Sequence, residues 1–379
     1  MVLEQDIATL GADVPPQIDA GWTREVVTVK NAIVYPPKES AMIQEAGVLT
    51  ETGDYIAHGA TWRGRRPITM KPSVAENPSQ HLKGRWLFGG LLWVHFGHFL
   101  AESTSRLWAL DQLKDLDGIV FFPKRPKVGE TIIPFQMDFL RLLGCDLPVH
   151  IATEPTEVET LFVPGQGFGL GPLSTGTEEY RGYFHRNFGK SIAPDGPEKL
   201  YLSRSALGPK RGGIIGEEYV EANLEKHGYE IFHPQQHSME IQIARYKAAK
   251  KIVSLDGSAL HLFALVGQPD QDVAMILRRT SGVYKNIENQ LGQFCRRSPV
   301  VIDAIESDWV LEGSNRPDRQ SVGSLNHSLL SAALAEQGFI DTADGWHGMP
   351  WRQRNRALRN LAKKRGIPYI EIPRVRDDG

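Results

Sequence analysis

The stretch that decides the fold runs from KLYLSR at residues 199–204 to DVAMILR at residues 272–278. Within it, short apolar segments typical of strands alternate with longer segments of helical periodicity, and the connections are short. The strand-like segments are 199–204, 229–233, 251–255 and 272–278, and the helix-like segments are 217–227, 238–250 and 258–266. This alternation predicts a parallel sheet covered by helices on both faces, which is an α/β fold.

The first half of the chain also shows a mixed α/β pattern, with a less regular order. Residues 25–35 and 118–122 have the composition of strands. Residues 96–113 and 130–143 have the spacing of helices, and Gly144 follows the second one as a stop signal. We therefore expect an α/β domain here too.

The segment SIAPDGPE at residues 191–198 has the polar, proline-containing composition of a linker. A chain of 379 residues is long enough for two domains with their own cores. The predicted division is an N-terminal α/β domain at 1–190, a Rossmann-like domain at 195–300, and a C-terminal extension at 301–379.

Composition and charge exclude several classes of protein. The net charge of −2 argues against a general nucleic-acid binder, which needs a surplus of Lys and Arg. Two cysteines, Cys145 and Cys295, supply neither a disulfide scaffold nor a set of zinc ligands. No run of apolar residues approaches the length of a transmembrane helix, and the N-terminus lacks the features of a signal peptide. These features predict a cytoplasmic protein.

Three predicted strand ends carry polar groups, namely Arg204, His233 and Asp256, and ligands of open parallel sheets bind beyond the carboxyl ends of the strands. Asp256, Gly257 and Ser258 connect a strand to a helix, whose first N–H groups favour an anion such as a diphosphate. A plain helix cap is the alternative for this turn. Arg204 follows another strand and could bind a phosphate through two parallel hydrogen bonds. Its alternative is a solvated surface arginine.

A second candidate site lies on the predicted helix at 96–113. His98 and Glu102 are four residues apart and therefore share one helical face, as a base and its neighbour would. The apolar residues around Glu102 predict that its pKa is raised. An intrahelical pair between Glu102 and Arg106 is one alternative. A metal site with His95, His98 and Glu102 is another, although it lacks a fourth ligand.

Read together and in order, these segments resemble glycosyltransferase family 61, which includes capsular-polysaccharide-type bacterial enzymes. The resemblance covers roughly residues 85–280. Its motifs here are HFGHFLAE at 95–102, LSRS at 202–205, RGGIIGEE at 211–218, PQQHS at 234–238 and IVSLDGSAL at 252–260. His95 and Gly216 stand where the family has Asn, and Asp256 stands where it has His. The last departure places a carboxylate beside a sugar diphosphate, which is repulsive unless the carboxylate is protonated or turned away.

The resemblance implies a GT-B enzyme, in which two Rossmann-like domains face each other across a cleft. It implies inverting transfer of a sugar, without a metal or cofactor, from a nucleotide-sugar donor such as a UDP-sugar. The acceptor would be a glycan or a lipid-linked glycan in surface polysaccharide synthesis. Glu102, held by His98, would be the catalytic base. The implied donor-binding residues are Arg204, Ser205, Arg211, Glu217, Asp256, Gly257, Ser258 and Ala259.

Two further questions stay open from the sequence. Residues 351–365 form a predicted helix with seven basic residues and no acidic one. This helix either contacts the inner face of an anionic membrane or is a solvated terminal helix. The alternative functions are a non-catalytic nucleotide-sugar-binding or assembly protein, suggested by Asp256, and a nucleotide-sugar epimerase or hydrolase on the same architecture.

Overall fold

The computed structural model describes residues 2–3, 14–73, 76–208 and 210–374. The chain divides into two compact units, Met1–Ser191 and Ile192–Gly379. Both units contain parallel strand pairs together with helices, which confirms the α/β class.

The first unit is built on a seven-stranded mixed sheet. The strands of the whole unit are β1 Val2–Leu3, β2 Val26–Tyr35, β3 Gln44–Glu45, β4 Gly47–Leu49, β5 Trp62–Arg63, β6 Arg66–Pro67, β7 Thr69–Met70, β8 Gln80–Leu92, β9 Gly118–Pro123, β10 Val149–Ile151 and β11 Thr156–Pro164. Of these, β3 pairs with β7 and β5 pairs with β6 in two small separate sheets. The order in the sheet is β1-β2-β11-β8-β9-β10, with β4 on β2. The predicted strands at 25–35 and 118–122 are confirmed as β2 and β9. The long strands β8 and β11, which pair in parallel, were not predicted.

The helices of the first unit are α1 Phe96–His98, α2 Pro134–Leu142 and α3 Glu178–Asn187, and its 3₁₀ helices are Gly21–Arg24, Ala57–Gly59, Leu107–Asp111 and Gly171–Thr175. A single helix over 96–113 was wrong. After α1 the chain forms a π-helical turn at Phe99–Ser103, closed by a hydrogen bond from Thr104 N to Phe99 O of 3.3 Å. Such wide turns insert an extra residue into a helix and occur often at functional sites.

The second unit contains a five-stranded parallel sheet and a separate four-stranded sheet. Its strands are β12 Lys199–Leu202, β13 Gly213–Ile214, β14 Glu230–Phe232, β15 Lys251–Leu255, β16 Asp272–Ile276, β17 Val300–Ile302, β18 Ile305–Leu311, β19 Val322–Leu325 and β20 Tyr369–Pro373. The parallel sheet has the order β14-β12-β15-β16-β17. Its first strand in the chain therefore lies second, which is the 2-1-3-4-5 order of doubly wound sheets. In such sheets the switch point, here between β12 and β15, is where ligands bind.

The helices of the second unit follow the predicted alternation with the strands. They are α4 Glu217–Lys226, α5 Met239–Ala248, α6 Ser258–Ala264, α7 Tyr284–Phe294, α8 His327–Glu336 and α9 Trp351–Arg365, with a 3₁₀ helix at Pro234–Gln236. The Ser238 hydroxyl caps α5 by accepting a hydrogen bond from Ile241 N. The core of the unit combines apolar side chains of β12, β15 and β16 with those of α4 and α8.

Residues 301–374 pack within the second unit, since β17 completes the parallel sheet and β18 to β20 form the second sheet with β13. Helix α9 spans the basic segment at 351–365. Leu358 of α9 is buried with Ile215 and Val322, and Leu361 packs against the same cluster. The apolar side of this helix is therefore used inside the unit. None of the described helices is both long enough and apolar enough to cross a bilayer.

Candidate functional site

Glu102 is the centre of a buried ionic group in the first unit. Its Oε1 accepts a hydrogen bond from Arg63 Nε at 2.8 Å, and its Oε2 accepts one from Arg63 Nη2 at 2.6 Å. The same Oε2 lies 2.9 Å from Nδ1 of His98. A fork of two parallel bonds from a guanidinium is among the strongest contacts a carboxylate can make. Glu102 is therefore held rigidly and keeps its charge.

The pKa of Glu102 lies below its ordinary value. Burial raises this pKa, but the hydrogen bonds and charges of His98 and Arg63 outweigh burial. The prediction of a raised pKa was wrong, because Arg63 comes from a part of the chain that the sequence pattern did not connect to Glu102. A carboxylate with a lowered pKa is a weak base and a good partner for a cation.

Exposure separates the roles of the two residues. The Glu102 side chain has no exposed surface, whereas that of His98 is 32% exposed. The contact at Nδ1 favours a proton on that nitrogen, which leaves Nε2 as the basic nitrogen of the ring. The Trp93 ring stacks on His98 at a centroid distance of 4.5 Å and so fixes the plane of the imidazole. The arrangement suits His98 as a general base that Glu102 orients.

The two alternative readings of this helix find no support in the contacts. Arg106 does not pair with Glu102; it is fully buried and donates hydrogen bonds to backbone oxygens of His58, Ala60 and Pro164. Both oxygens of Glu102 are already taken by Arg63 and His98. Within the described ranges, no three His, Cys, Asp or Glu side chains form a group that could hold a metal ion.

The second unit brings Arg204 and the turn at Gly257 together at the switch point of its sheet. Arg204 follows β12, and Gly257 follows β15, the strand beside it. Arg204 Nη2 donates to the backbone oxygens of Arg211 at 3.1 Å and Gly212 at 3.4 Å. Its Nη1 lies 2.8 Å from the position that a Cβ would occupy at Gly257. Glycine is therefore needed at 257 so that the guanidinium can lie against the turn.

Asp256 is paired with an arginine that the sequence analysis did not single out. Its Oδ1 lies 3.0 Å from Nε of Arg278 and 3.3 Å from the Arg278 backbone nitrogen. Both side chains are buried. Burial raises the pKa of Asp256, and the charges of Arg278, Arg279 and Arg204 partly offset that effect. Asp256 is thus bound within the protein by a cation.

Arg204, Arg278 and Arg279 form what we call the arginine cluster. Arg278 and Arg279 come one residue after β16, the neighbour of β15, and are 6% and 7% exposed. Nε of Arg204, Nη1 of Arg278 and Nε of Arg279 are buried and have no hydrogen-bond partner within the described part of the chain. Burial and the neighbouring guanidinium groups lower the pKa of Arg204 and that of Arg279 to about 10. The cluster therefore has hydrogen-bond donors and positive charge to offer to an anion.

Glu217 has a structural position behind Arg204. Its Oε1 accepts hydrogen bonds from Arg204 N at 2.7 Å, Tyr201 OH at 3.0 Å and Ser203 Oγ at 3.4 Å. Burial raises the pKa of Glu217 to about 7, against the effect of these bonds. Only 3% of the residue is exposed. Glu217 therefore stabilises the backbone conformation at Arg204 from inside the unit.

The other predicted donor-binding residues lie around the same turn and loop. Ser205 and Arg211 are exposed, in the loop that follows β12. Gly257, Ser258 and Ala259 are partly exposed at the start of α6. They surround the position where Arg204 meets Gly257.

Four residues with strong contacts were missed: Arg63, Trp93, Arg278 and Arg279. The two tandem arginines carry a readable signal, because they stand at the carboxyl end of a predicted strand, as Arg204 does. No comparable signal marks Arg63, which lies 39 residues before Glu102 in a two-residue strand.

Comparison with known protein families finds a match over part of the chain. The family model described as Glycosyltransferase 61 matches residues 96–271. No curated protein matches the chain. The matched segment contains His98, Glu102, Arg204 and Asp256, whereas Arg278 and Arg279 lie beyond its end. The resemblance to glycosyltransferase family 61 is confirmed.

Proposed function

We propose that this chain transfers a sugar from a nucleoside-diphosphate sugar to a hydroxyl group of a glycan or lipid-linked acceptor. The proposal starts from the match of residues 96–271 to glycosyltransferase family 61. In this proposal His98 is the general base of the first unit. Arg204 and the turn at Gly257–Ser258 of the second unit bind the diphosphate of the donor.

The observation that carries the proposal is the buried Glu102 carboxylate on Nδ1 of His98. A base in a transfer reaction must reach the acceptor hydroxyl and must become a cation that the site tolerates. His98 is exposed enough for the first requirement, and the Glu102 carboxylate, 2.9 Å from Nδ1, is the counter-charge beside the ring for the second. Arg63 keeps Glu102 ionised and in place. Glu102 itself is too buried to accept the acceptor proton.

The proposed step is a single displacement. As Nε2 of His98 takes the proton of the acceptor hydroxyl, the oxygen forms a bond to the anomeric carbon of the donor. The bond between that carbon and the diphosphate breaks, and the nucleoside diphosphate leaves with the electron pair. One displacement of this kind inverts the configuration at the anomeric carbon.

Charge on the leaving diphosphate requires cationic groups around it. The guanidinium of Arg204 and the backbone N–H groups after Gly257 are placed at the switch point of the sheet, which is where such a ligand is expected. These groups support a transfer reaction in which protein groups supply the positive charge that stabilises the leaving diphosphate. The GT-B arrangement, the role in surface polysaccharide synthesis, the UDP-sugar donor and the cytoplasmic location stay predictions.

The experiment compares two histidine–carboxylate pairs. Nucleoside diphosphate release is measured for the full chain with UDP-glucose, UDP-N-acetylglucosamine and UDP-xylose in the presence of oligosaccharide acceptors. We expect His98→Gln to lower kcat by about a hundredfold or more while UDP binding stays unchanged. His81→Gln is the control, because His81 pairs with Glu157 at 3.2 Å but is 63% exposed. Normal turnover of His98→Gln would remove His98 from the mechanism.

The same assay separates the alternative functions. A hydrolase releases UDP at the same rate with and without acceptor, and an epimerase converts the donor without releasing UDP. A binding or assembly protein binds UDP and shows neither reaction. Each of these results contradicts the proposed transfer.

A further inference from the structure

The arginine cluster extends beyond the segment that the family model matches. Arg278 and Arg279 follow β16, and the register between Leu255 and Ile276 puts them beside the turn at Asp256. They stand on the same carboxyl edge of the sheet as Arg204. Three guanidinium groups therefore come from the ends of two different strands to one edge.

The side chains of Arg204 and Arg278 converge on Gly212. Arg204 Nη2 donates to the Gly212 oxygen, and Arg278 Nη1 lies 3.0 Å from where a Cβ at Gly212 would be. Gly212 has a φ of +62°, which is favourable for glycine. A residue with a side chain would therefore displace the loop or the Arg278 guanidinium. The close approach brings two like charges to one loop.

Burial makes this arrangement costly unless an anion is bound. Arg278 and Arg279 are more than nine-tenths buried, and each has an unpartnered nitrogen. Buried polar groups without partners are unfavourable, and buried like charges repel each other. Asp256 compensates one of the three charges directly. A ligand with two or more negative charges would compensate the remainder and supply the missing acceptors.

We propose that Arg204, Arg278 and Arg279 form a preformed site for the two phosphoryl groups of a nucleoside diphosphate, and that Asp256 is the residue that positions Arg278. The proposal rests on the proposed function for the identity of the ligand as donor and leaving group. The presence of Asp256 where the family has His is then explained, because the Asp256 carboxylate holds Nε of Arg278 at 3.0 Å.

The charge of the site predicts which nucleotides it selects. The three arginines and Asp256 taken alone carry a surplus of two positive charges, which Glu217 near Arg204 and Asp308 and Asp318 near Arg279 partly offset. A nucleotide-sugar donor with a diphosphate carries two negative charges there, and the released nucleoside diphosphate carries about three. A nucleoside monophosphate fills only part of the site, so the cluster should favour diphosphates strongly over monophosphates.

The test measures binding of UDP, UMP and inorganic pyrophosphate to the full chain by titration calorimetry. We expect Arg279→Met and Arg278→Met each to weaken UDP and pyrophosphate binding about tenfold to a hundredfold, and UMP binding much less. Arg279→Met removes a buried charge together with its side chain, whereas Arg278→Met leaves the Asp256 carboxylate buried without its partner and should destabilise the fold, so Arg278→Lys is measured beside it. Arg297→Met is the control, because Arg297 pairs with Asp272 at the other end of β16 and is half exposed.

The role of Asp256 is tested with a double-mutant cycle. Asp256→Ala should weaken UDP binding about as much as Arg278→Met does, and Asp256→Asn, which keeps an acceptor for Nε, should retain most of the affinity. The double variant should bind UDP no more weakly than Arg278→Met alone. Additive losses would show that Asp256 acts independently of Arg278. Arg278→Lys, which keeps the charge, replaces Arg278→Met if the latter does not fold.

Failure of this inference differs from failure of the proposed function. If Arg278→Met and Arg279→Met bind UDP like the unmodified chain, the cluster is not the site, whether or not the chain transfers sugar. If pyrophosphate and UDP bind through the cluster but no sugar is transferred, the inference stands and the proposed function does not.

Discussion

Replacing Gly257 by alanine tests whether the position of Arg204 determines donor binding. The added Cβ would lie 2.8 Å from Arg204 Nη1, 3.6 Å from Cζ and 3.7 Å from Cδ. Ordinary contact begins at 3.4 Å, so the guanidinium must move by about 0.6 Å. The φ of Gly257 is −178°, an extended conformation that alanine adopts freely. The substitution therefore acts on Arg204 and not on the backbone.

The expected effect on binding is large and the effect on stability is small. The atom that must move is the far end of a flexible side chain, so the free energy of unfolding should change by less than about 1 kcal/mol. The displacement strains the bonds of 3.1 and 3.4 Å that fix the guanidinium. Losing one charge-assisted hydrogen bond to a phosphoryl group costs about 1.5–3 kcal/mol. UDP should therefore bind roughly 10- to 150-fold more weakly.

Titration calorimetry with UDP measures the affinity, and urea unfolding measures stability. Gly282→Ala is the matched control, because a Cβ at Gly282 meets no atom within 4 Å. If Gly257→Ala binds UDP as tightly as the unmodified chain and Arg204→Ala does so as well, then Arg204 does not bind the diphosphate. The reasoning from the switch point would then be refuted.

Two further predictions concern Glu217 and Leu358. Burial raises the pKa of Glu217 from 4.5 to about 7. Between pH 4.5 and 7 the native state therefore binds more protons than the unfolded state, and the stability of the native state falls as the pH rises through this range. In Glu217→Gln this part of the pH dependence of the free energy of unfolding, at most about 3 kcal/mol, should be lost. Urea unfolding measured from pH 4.5 to 7 tests this, and a pH dependence equal to that of the unmodified chain would contradict the raised pKa of Glu217. Leu358→Ala should lower the free energy of unfolding by about 2–3 kcal/mol without altering binding to phosphatidylglycerol vesicles, because this side chain packs inside the second unit. Lost vesicle binding at unchanged stability would instead place Leu358 on a membrane.

The parallel sheet of the second unit could be predicted from the sequence because its signals are local. Strands β12, β14, β15 and β16 are short apolar runs, and helices with clear caps or glycine ends separate them. The residues at the strand ends follow from that pattern, since parallel strands bring their carboxyl ends to one edge. This is why Arg204 and the turn after β15 could be linked, although Leu202 and Ser254, which are paired across the two neighbouring strands, are 52 positions apart in the sequence.

The first unit was harder to predict because its decisive contacts are not local. The π-helical turn at Phe99–Ser103 has no simple periodicity, and it ends the regular helix that the spacing of His98 and Glu102 suggested. The two residues still meet, at 2.9 Å. Their roles depend on Arg63, which no pattern connects to them. Burial by itself would raise the pKa of Glu102, but the hydrogen bonds from His98 and Arg63 lower it and keep the carboxylate charged.

Asp256 shows how a departure from a family pattern can be explained by residues outside the family segment. A carboxylate beside a diphosphate is unfavourable when it is considered alone. The structure places it against Arg278, seven residues past the end of the matched segment, and the carboxylate and the guanidinium form an ion pair. The pair is neutral, and Arg278 still has an unpartnered Nη1 for a ligand. The departure therefore need not reduce anion binding, because the acid that would repel a phosphate also holds the arginine that would attract it.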